Sequence, residues 1–304
     1  MFYKLKDKLG RYMFNRAAIG ILATPPVTLN GDLAVTVLSQ LQHKDLLLYL
    51  IALKSFSRYI PMQQVVVIND GSLTRNDRSI LQSHVNGIQI RNAAEFRAKS
   101  CPQGGCWERL LAIAKFSQHG YVIQLDADTI TLGTPDDVVK NIADGYSFTI
   151  GTWDNQTIEP MATCSQRVRD RRDVTAASHV QMLAEAAFAD LQDCQTLRYV
   201  RGCAGFAGFS AGSMNTEFIS YFSSAMELLI GEKWHAWGSE QVMSNVLVAN
   251  APKARVLPHP LYSDCLKMTS DNRFVHFIGD CRFKSNTYRT FARQVTKSSQ
   301  TSRP

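Results

Sequence analysis

The chain has 304 residues, of which 45% are hydrophobic and 19% are charged, and its mean hydropathy is -0.14. These values are ordinary for a folded protein, and they exclude wholesale disorder, collagen-like repeats and a polytopic membrane protein. The 33 lysines and arginines against 26 aspartates and glutamates give a net charge of +7, which is compatible with an anionic ligand, an anionic membrane surface or nucleic acid and does not choose among them.

The two ends of the chain are basic. Residues 1–16 hold five lysines and arginines against the single acid Asp7, and the residues after Phe291 add cations without an acid. We interpret residues 1–30 as a basic N-terminal segment and 291–304 as a polar basic tail. The first segment lacks the apolar stretch and cleavage site of a secretory signal. Its pattern fits either a first helix packed on the core or an amphipathic segment lying on a membrane.

Short β-branched runs alternate with stretches of helical period between residues 33 and 128. The predicted strands span residues 33–38, 64–68, 87–90 and 121–125, and the predicted helices span residues 44–58, 73–85 and 107–118. This alternation predicts an α/β fold, with a Rossmann-like, mostly parallel sheet flanked by helices. The longest apolar run, residues 46–53, falls short of the ~20 residues that a membrane-spanning helix needs.

The second half of the chain has a different texture. It contains an arginine-rich stretch at 167–172, which we interpret as a solvated helix start or a phosphate contact, and a glycine-rich apolar stretch at 202–213. We predict helices at 176–191, 216–229 and 240–248, and short strands at 254–257 and 273–277. No low-complexity linker separates the halves, so we expect one domain over residues 31–290.

The seven cysteines are odd in number and scattered, and no pair has the spacing of a zinc ribbon. We therefore expect reduced thiols in a cytosolic protein. Cys101 and Cys106 bracket a short glycine-rich loop and could bridge, but most such pairs in a cytosolic chain do not.

Polar residues cluster at the carboxyl ends of three predicted strands, where ligands bind in parallel sheets. Ser39 follows the first strand, Asp70 the second, and Asp126 and Asp128 the fourth. Two carboxylates one residue apart can reach a divalent cation, and a diphosphate can bridge to the same cation. The alternative is a solvated turn. Asp70 could bind a nucleobase or ribose, or cap the next helix while Gly71 supplies the turn.

Two later segments carry further candidates. Glu240, Gln241 and Asn245 lie near the start of a predicted helix, where an acid either caps the helix or points into a sugar pocket. His276 lies in a short apolar strand and could complete the metal site, although a lone histidine there is usually a core residue. Arg282 or Lys284 could hold a diphosphate.

Two further features have open interpretations. The glycines of the stretch 202–213 permit either close approach of a ligand or tight packing of a strand beneath a helix. Arg109, in the predicted helix before the fourth strand, could hold a nucleotide-linked ligand or an acidic partner, or be a solvated helix residue.

Together these residues resemble the GT-A glycosyltransferases, and most closely family 8, over residues 33–284. Asp126 and Asp128 match the family's Asp-x-Asp, and His276 with Gly279 matches its late His-x-x-Gly. The Ala204-Gly205-Phe206 run is similar to the family's Asn-Ala-Gly turn, with Cys203 in place of the asparagine, and Glu240-Gln241 is similar to its Asp-Gln pair. The family's lysine after the late glycine is replaced, with Arg282 nearest and Lys284 beyond it.

The resemblance implies a metal-dependent transfer of a sugar from a nucleoside diphosphate sugar, with UDP-sugars favoured, to a glycan or lipid-linked acceptor. It implies Mn²⁺ or Mg²⁺ held by Asp126, Asp128 and His276, and Gln241 beside the reacting carbon of a retaining enzyme. Glu240 would instead serve as a base if the reaction inverted. The remaining donor contacts expected are Ser39, Asp70, Arg109, Gly205, Asn245, Gly279, Arg282 and Lys284.

In this reading residues 31–150 form the nucleotide-binding half, and residues 151–290 form the half that binds the acceptor and completes the metal site. We expect a cytoplasmic protein that contacts an anionic inner membrane face through its basic N-terminus. A sugar nucleotidyltransferase would need a glycine-rich loop after the first strand, and none is present. A non-catalytic carbohydrate-binding module would not need nucleotide and metal together. Nucleic acid is not expected as a partner, because the arginine-rich stretch lacks stacking aromatics.

Overall fold

The computed structural model describes residues 2–30 and 34–301. Leu33, the predicted start of the first strand, and Arg303 of the predicted tail lie outside the described residues. Strands in the described chain are β1 Val35–Leu41, β2 Gln64–Asn69, β3 Gln89–Asn92, β4 Tyr121–Leu125, β5 Thr129–Thr131, β6 Ser147–Ile150, β7 Glu159–Pro160, β8 Arg198–Tyr199, β9 Cys203–Phe209, β10 Ala254–Leu257, β11 Tyr262–Asp264 and β12 Phe274–His276.

The α-helices are α1 Phe2–Ala18, α2 Leu46–Ser57, α3 Arg75–His84, α4 Trp107–Phe116, α5 Asp136–Asp144, α6 Met161–Arg169, α7 Val180–Ala187, α8 Thr216–Ile230, α9 Ser239–Ala249 and α10 Thr287–Thr301. Among these described helices, none is both long and apolar enough to cross a bilayer. The predicted α/β fold with a mixed, mostly parallel central sheet flanked by helices is confirmed.

The chain divides into two compact units. The first unit contains the described residues up to Asn92, Gln124–Val139 and the described residues from Pro260 onward, and the second contains Ala93–Ile123 and Lys140–His259. In the first unit β1, β2 and β3 are parallel neighbours, with Val37 opposite Val65 and Val67 opposite Ile90. β1 and β2 are almost entirely buried, as expected of parallel strands covered by helices, whereas β3 at the edge of the sheet is partly exposed.

A second, three-stranded sheet of the first unit has the order β11-β12-β5. β12 is antiparallel to β5 and parallel to β11, and the register places His276 opposite Thr129 and Asp264. Because β5 begins directly after Asp128, this register determines where His276 lies.

In the second unit β6 is parallel to β10 and antiparallel to β9. The glycine-rich stretch therefore forms a buried strand, which was one of the two interpretations left open. The predicted helix at 176–191 is shorter than expected, because α7 runs only from Val180 to Ala187 and a 3₁₀ turn follows it. The arginine-rich stretch ends a helix rather than starting one, since α6 runs to Arg169.

The expectation of reduced thiols is wrong for one pair, because Cys265 and Cys281 form a disulfide. Cys265 directly follows β11, and Cys281 lies in the turn after β12, so the pairing of these strands brings the two Cα atoms to 6.0 Å. This separation lies within the range that a disulfide spans. Cys101 and Cys106 do not pair with each other.

Candidate functional site

The first unit brings Asp126, Asp128 and His276 together. One ligand atom of each residue lies within 4.8 Å of the others. The two aspartates occupy the loop between β4 and β5, and His276 ends β12, which pairs with β5. The Phe277 amide donates to the Asp128 carbonyl oxygen at 2.8 Å, which fixes the two segments against each other. Carboxylate oxygens and an imidazole nitrogen form a donor set that suits a divalent cation such as Mn²⁺.

The Asp128 carboxylate has a partner on each oxygen. The Nε2 atom of His276 lies 3.1 Å from Oδ1, and Arg282 donates from Nη2 to Oδ2. Burial raises the pKa of Asp128, but the charges of His276 and Arg282 outweigh burial and hold this pKa below its usual range. Arg282 also donates from Nε to the Phe277 carbonyl oxygen at 3.0 Å. Arg282 therefore fixes a carboxylate of the cluster.

The segment after His276 lines a cavity of about 540 Å³. Gly279 and Lys284 lie on one side of it, and Lys6 and Met13 of α1 lie on the other. Gly279 has a φ of +26° and is exposed. The predicted site residues Gly279 and Lys284 thus face a cavity whose opposite wall, formed by α1, combines the apolar Leu9 and Met13 with Lys6 and Asp7.

Ser39 and Asp70 differ in accessibility. Strand β1 continues to Leu41, so Ser39 lies inside the strand rather than after it, and its buried hydroxyl donates to the Leu125 carbonyl oxygen at 2.6 Å. Asp70 is exposed, and its Oδ1 accepts hydrogen bonds from the amide and hydroxyl of Ser72 at 2.9 and 2.6 Å. The alternative that Asp70 caps the next helix is wrong, because Thr74 forms the capping box of α3.

In the second unit Arg109 and Glu240 form a buried ion pair. Each is 4% exposed, and Nη2 of Arg109 lies 3.1 and 3.2 Å from the two carboxylate oxygens. The Trp107 indole donates to the Ser239 hydroxyl at 2.9 Å beside it. The interpretation of Arg109 as a solvated helix residue is therefore wrong, and the pair joins the beginnings of α4 and α9.

Gln241 is the only residue of α9, all of which is described, that is not buried. Its side-chain amide nitrogen donates to Oε1 of Gln181 at 3.4 Å. Asn245, one turn later, is 1% exposed, donates to the Gly202 carbonyl oxygen at 3.0 Å and lies 3.4 Å from the Thr149 hydroxyl. The same helix thus presents one side chain outward and holds the others inside.

The second unit also contains Gly205, the arginine-rich stretch and one residue, Gln181, that was not predicted. Gly205 lies buried within β9. Arg167, Arg169 and Arg171 of the arginine-rich stretch pair with Glu159, Asp190 and Asp173. Sequence reasoning missed Gln181, because a single glutamine in an alanine-rich stretch matches no motif. Gln181 is identified only by its hydrogen bond with Gln241 in the folded chain.

Neither a protein-family model nor a curated protein matches the chain. Among solved structures, the apo form of the bifunctional glycosyltransferase WbbM is similar at 13% sequence identity, with a TM-score of 0.53 over 91% of this chain. The chain spans about half of WbbM, since the match covers 53% of that protein. The chain has the GT-A fold.

Two further solved structures match with lower TM-scores. Galactosyltransferase LgtC, in complex with donor and acceptor sugar analogues, has 10% identity and a TM-score of 0.46 over 88% of this chain and 97% of LgtC. Mouse xyloside xylosyltransferase 1, in its apo form, has 10% identity and a TM-score of 0.48 over 83% of this chain and 99% of that protein.

Proposed function

We propose that this chain is a metal-dependent glycosyltransferase that moves a sugar from a nucleoside diphosphate sugar, preferably a UDP-sugar, to a glycan or lipid-linked acceptor. The observation that carries the proposal is the cluster of Asp126, Asp128 and His276 in a chain with the GT-A fold. The Asp-x-Asp and His-x-x-Gly motifs support the further proposal that the chain is related to the family 8 glycosyltransferases.

Asp126, Asp128 and His276 would hold Mn²⁺ or Mg²⁺, which when bound neutralises negative charge on a diphosphate leaving group. Arg282 keeps the Asp128 carboxylate ionised and in place. Lys284, which is exposed, is then the cation of this segment that we assign to the diphosphate. Asp70, an exposed acid at a strand end, is assigned to the nucleoside hydroxyls. Ser39 supports this edge by bonding to the end of β4.

The second unit supports retention rather than inversion. Both carboxylate oxygens of Glu240 are bonded to buried Arg109, so we assign this pair to holding α9 in place and not to proton abstraction or a donor contact. The amide nitrogen of Gln241 donates to Gln181, which leaves the carbonyl oxygen of Gln241 for the substrate. We assign this oxygen to stabilising positive charge on the sugar. The acceptor proton would pass to the departing diphosphate. Gly205 and Asn245, which are both buried, are assigned to holding β9 and α9 together.

Donor hydrolysis tests this function. A panel of UDP- and GDP-sugars is incubated with Mn²⁺, and nucleotide release is measured for the wild type, Asp126→Asn, Asp128→Ala and the control Asp271→Asn, whose acid is exposed in the same unit. We expect release to fall by about 100-fold or more in the first two variants and not in the control. Asp126→Asn is the more informative variant, because Asp128→Ala leaves Arg282 without its carboxylate.

Binding of Mn²⁺ alone provides a second readout. Electron paramagnetic resonance should detect Mn²⁺ bound to the wild type and to Asp271→Asn but not to Asp126→Asn. If the wild type releases no nucleotide from any donor and binds no Mn²⁺, the proposed function is rejected.

We also propose that α1 rests on an anionic membrane surface. Leu9, Tyr12 and Met13 are 57%, 58% and 41% exposed, although Phe14 and Ala18 on the other face are fully buried. Exposed basic residues flank this apolar face: Lys6, Lys8 and Arg16. A helix with this distribution binds membranes through apolar burial and attraction to anionic lipids.

Vesicle flotation tests the membrane contact. The wild type should float with vesicles that contain anionic phosphatidylglycerol and less with neutral phosphatidylcholine vesicles. The double variant Leu9→Ser, Met13→Ser should lose flotation, whereas Leu228→Ser, at a residue 89% exposed, should not. Equal flotation of both variants would contradict the proposal. A cytoplasmic location stays a prediction, and the Cys265–Cys281 disulfide counts against it because reducing compartments seldom keep such bonds.

A further inference from the structure

The second unit contains a surface that combines an exposed indole ring with two side-chain amides. We propose that Trp237, His179, Gln181 and Gln241 form a subsite for a pyranose ring, and that its occupant is the terminal sugar of the acceptor. This inference rests on the proposed function, because it supplies the acceptor site that sugar transfer requires.

Trp237 is unusual among the tryptophans, all four of which are described. Trp107 and Trp234 are 1% and 0% exposed, Trp153 is 43% exposed, and Trp237 is 73% exposed. A single exposed aromatic side chain is ordinary in itself, but an aromatic ring beside hydrogen-bonding side chains offers an apolar face and polar groups to the same ligand. Trp237 also lies just before α9, four residues ahead of Gln241.

The Trp237 ring has His179 as a neighbour. Gly238 has a φ of +107°, and a Cβ atom there would lie 2.5 Å from Cε1 of His179. The His179 ring meets the Trp237 ring edge-on, with centroids 6.2 Å apart and planes at 80°. His179 is itself fixed, because its Nδ1 accepts a hydrogen bond from the Gln181 amide at 3.2 Å. A glycine is therefore required for this arrangement.

The neighbouring amides form a directed chain of hydrogen bonds. Gln181 donates from Nε2 to the Tyr199 hydroxyl at 3.1 Å, and Gln241 donates from Nε2 to Oε1 of Gln181 at 3.4 Å. Tyr199 is fully buried, so this chain is anchored in the core. Within the described chain, no hydrogen bond reaches the carbonyl oxygen of Gln241, so this oxygen can face the reacting carbon, as proposed above, at the point where the attacking hydroxyl of the acceptor must also lie.

A pyranose matches both the apolar ring and the hydrogen-bonding amides of this surface. Its C–H face is apolar and packs on an aromatic ring, and its hydroxyls both donate and accept hydrogen bonds, as side-chain amides do. Two sugars could present this chemistry, the one on the donor and the one on the acceptor. We assign the surface to the acceptor, since the donor is expected to be held by its nucleotide and diphosphate through residues of the first unit.

Saturation-transfer NMR tests the subsite without requiring turnover. Methyl glycosides of glucose, galactose, mannose and N-acetylglucosamine are presented to the wild type, Trp237→Ala, Trp237→Phe and the matched control Trp153→Ala. We expect at least one glycoside to receive saturation at its ring C–H protons from the wild type, Trp237→Phe and Trp153→Ala. The signal should fall by about threefold to tenfold in Trp237→Ala, the range that an aromatic contact supports.

Kinetics then separate the two sugar sources. With the glycoside that binds, Trp237→Ala should raise the KM for the acceptor and Trp153→Ala should not, whereas a raised KM for the donor in Trp237→Ala would assign the subsite to the donor sugar and overturn the acceptor assignment. If no glycoside is saturated by the wild type, or if Trp237→Ala and Trp153→Ala give the same signal, the subsite does not exist. If the wild type still hydrolyses a donor, only the subsite is rejected and the proposed function stands.

Discussion

The two units differ in how they arrange their predicted site residues. In the first unit Asp126, Asp128 and His276 direct ligand atoms to within 4.8 Å of one another. In the second unit Glu240 is bonded on both oxygens to Arg109. Asp128 is also paired with Arg282, so the difference is that the first unit places a second carboxylate and a histidine around the same point, which a cation can occupy, whereas the carboxylate of Glu240 meets a guanidinium.

The difference follows from where the residues lie. Asp126 and Asp128 occupy the loop between β4 and β5, where His276 lies close enough to share a cation with them. Helix α9 is buried at every position except Gln241, and its polar side chains Glu240 and Asn245 have partners within the protein. A motif on a buried helix thus indicates a site only through the one residue that remains accessible.

Removal of one charge from the buried pair should have the largest effect on stability. Arg109→Met leaves the Glu240 carboxylate buried and unpaired, which we expect to lower the free energy of unfolding by about 3 to 5 kcal/mol. Urea unfolding followed by circular dichroism measures this change. The surface variant Arg169→Met, at an exposed ion pair, should change it by less than about 1 kcal/mol.

A double variant sharpens the same test. Arg109→Met with Glu240→Leu removes both charges, and we expect it to recover most of the lost stability, because apolar side chains of similar size often replace a buried pair. Donor hydrolysis by this double variant would exclude Glu240 as a base. If Arg109→Met alone is as stable as the wild type, the contrast between the units fails.

The disulfide provides the next largest effect, in the first unit. Cys265→Ser with Cys281→Ser opens a link between residues 16 apart in sequence, and such a loop contributes about 3 kcal/mol by the chain-entropy estimate. Thermal unfolding should show a lower midpoint in the double variant, and a reductant should lower the wild type to the same midpoint. Cys106→Ser, which breaks no disulfide, serves as control. A wild-type midpoint that ignores reductant would contradict the pairing.

The alternation of apolar runs predicted the sheet and its helices because burial of parallel strands leaves a strong signal in sequence. Element ends were less well predicted. Strand β1 continues through Ser39 to Leu41, so a residue placed at the sheet edge is instead buried in it. The capping residue of α3 is Thr74 and not Asp70, because the loop is longer than a single turn.

Pairings between distant residues could not be predicted. Arg109 and Glu240 are 131 positions apart, and the link between Cys265 and Cys281 depends on the register of β11 with β12. The arginine-rich stretch is another example. Its sequence is compatible with a phosphate contact, but in the fold Arg167 and Arg169 pair with Glu159 and Asp190. Sequence predicts which residues can do chemistry, and tertiary packing determines which of them are already paired.

The smallest expected effect concerns the packing around Gly202 in the second unit. A Cβ atom there would lie 2.6 Å from Oδ1 of Asn245 and would also contact the Thr149 hydroxyl. We expect Gly202→Ala to lower the free energy of unfolding by about 1 to 3 kcal/mol through overpacking. Addition of Thr149→Ala, which removes the hydroxyl and methyl groups beside the new atom, should restore part of this loss.

This last measurement decides whether the second unit is closed around Asn245. A tightly packed wall should also make Gly202→Ala displace the Asn245 side chain, and donor hydrolysis would then fall together with stability. If Gly202→Ala is as stable as the wild type, the side chains of Thr149 and Asn245 can move to accommodate the new methyl group. Asn245 would then be able to turn toward a ligand, and the contrast between an internally paired second unit and a ligand-ready first unit would apply only to the Arg109–Glu240 pair.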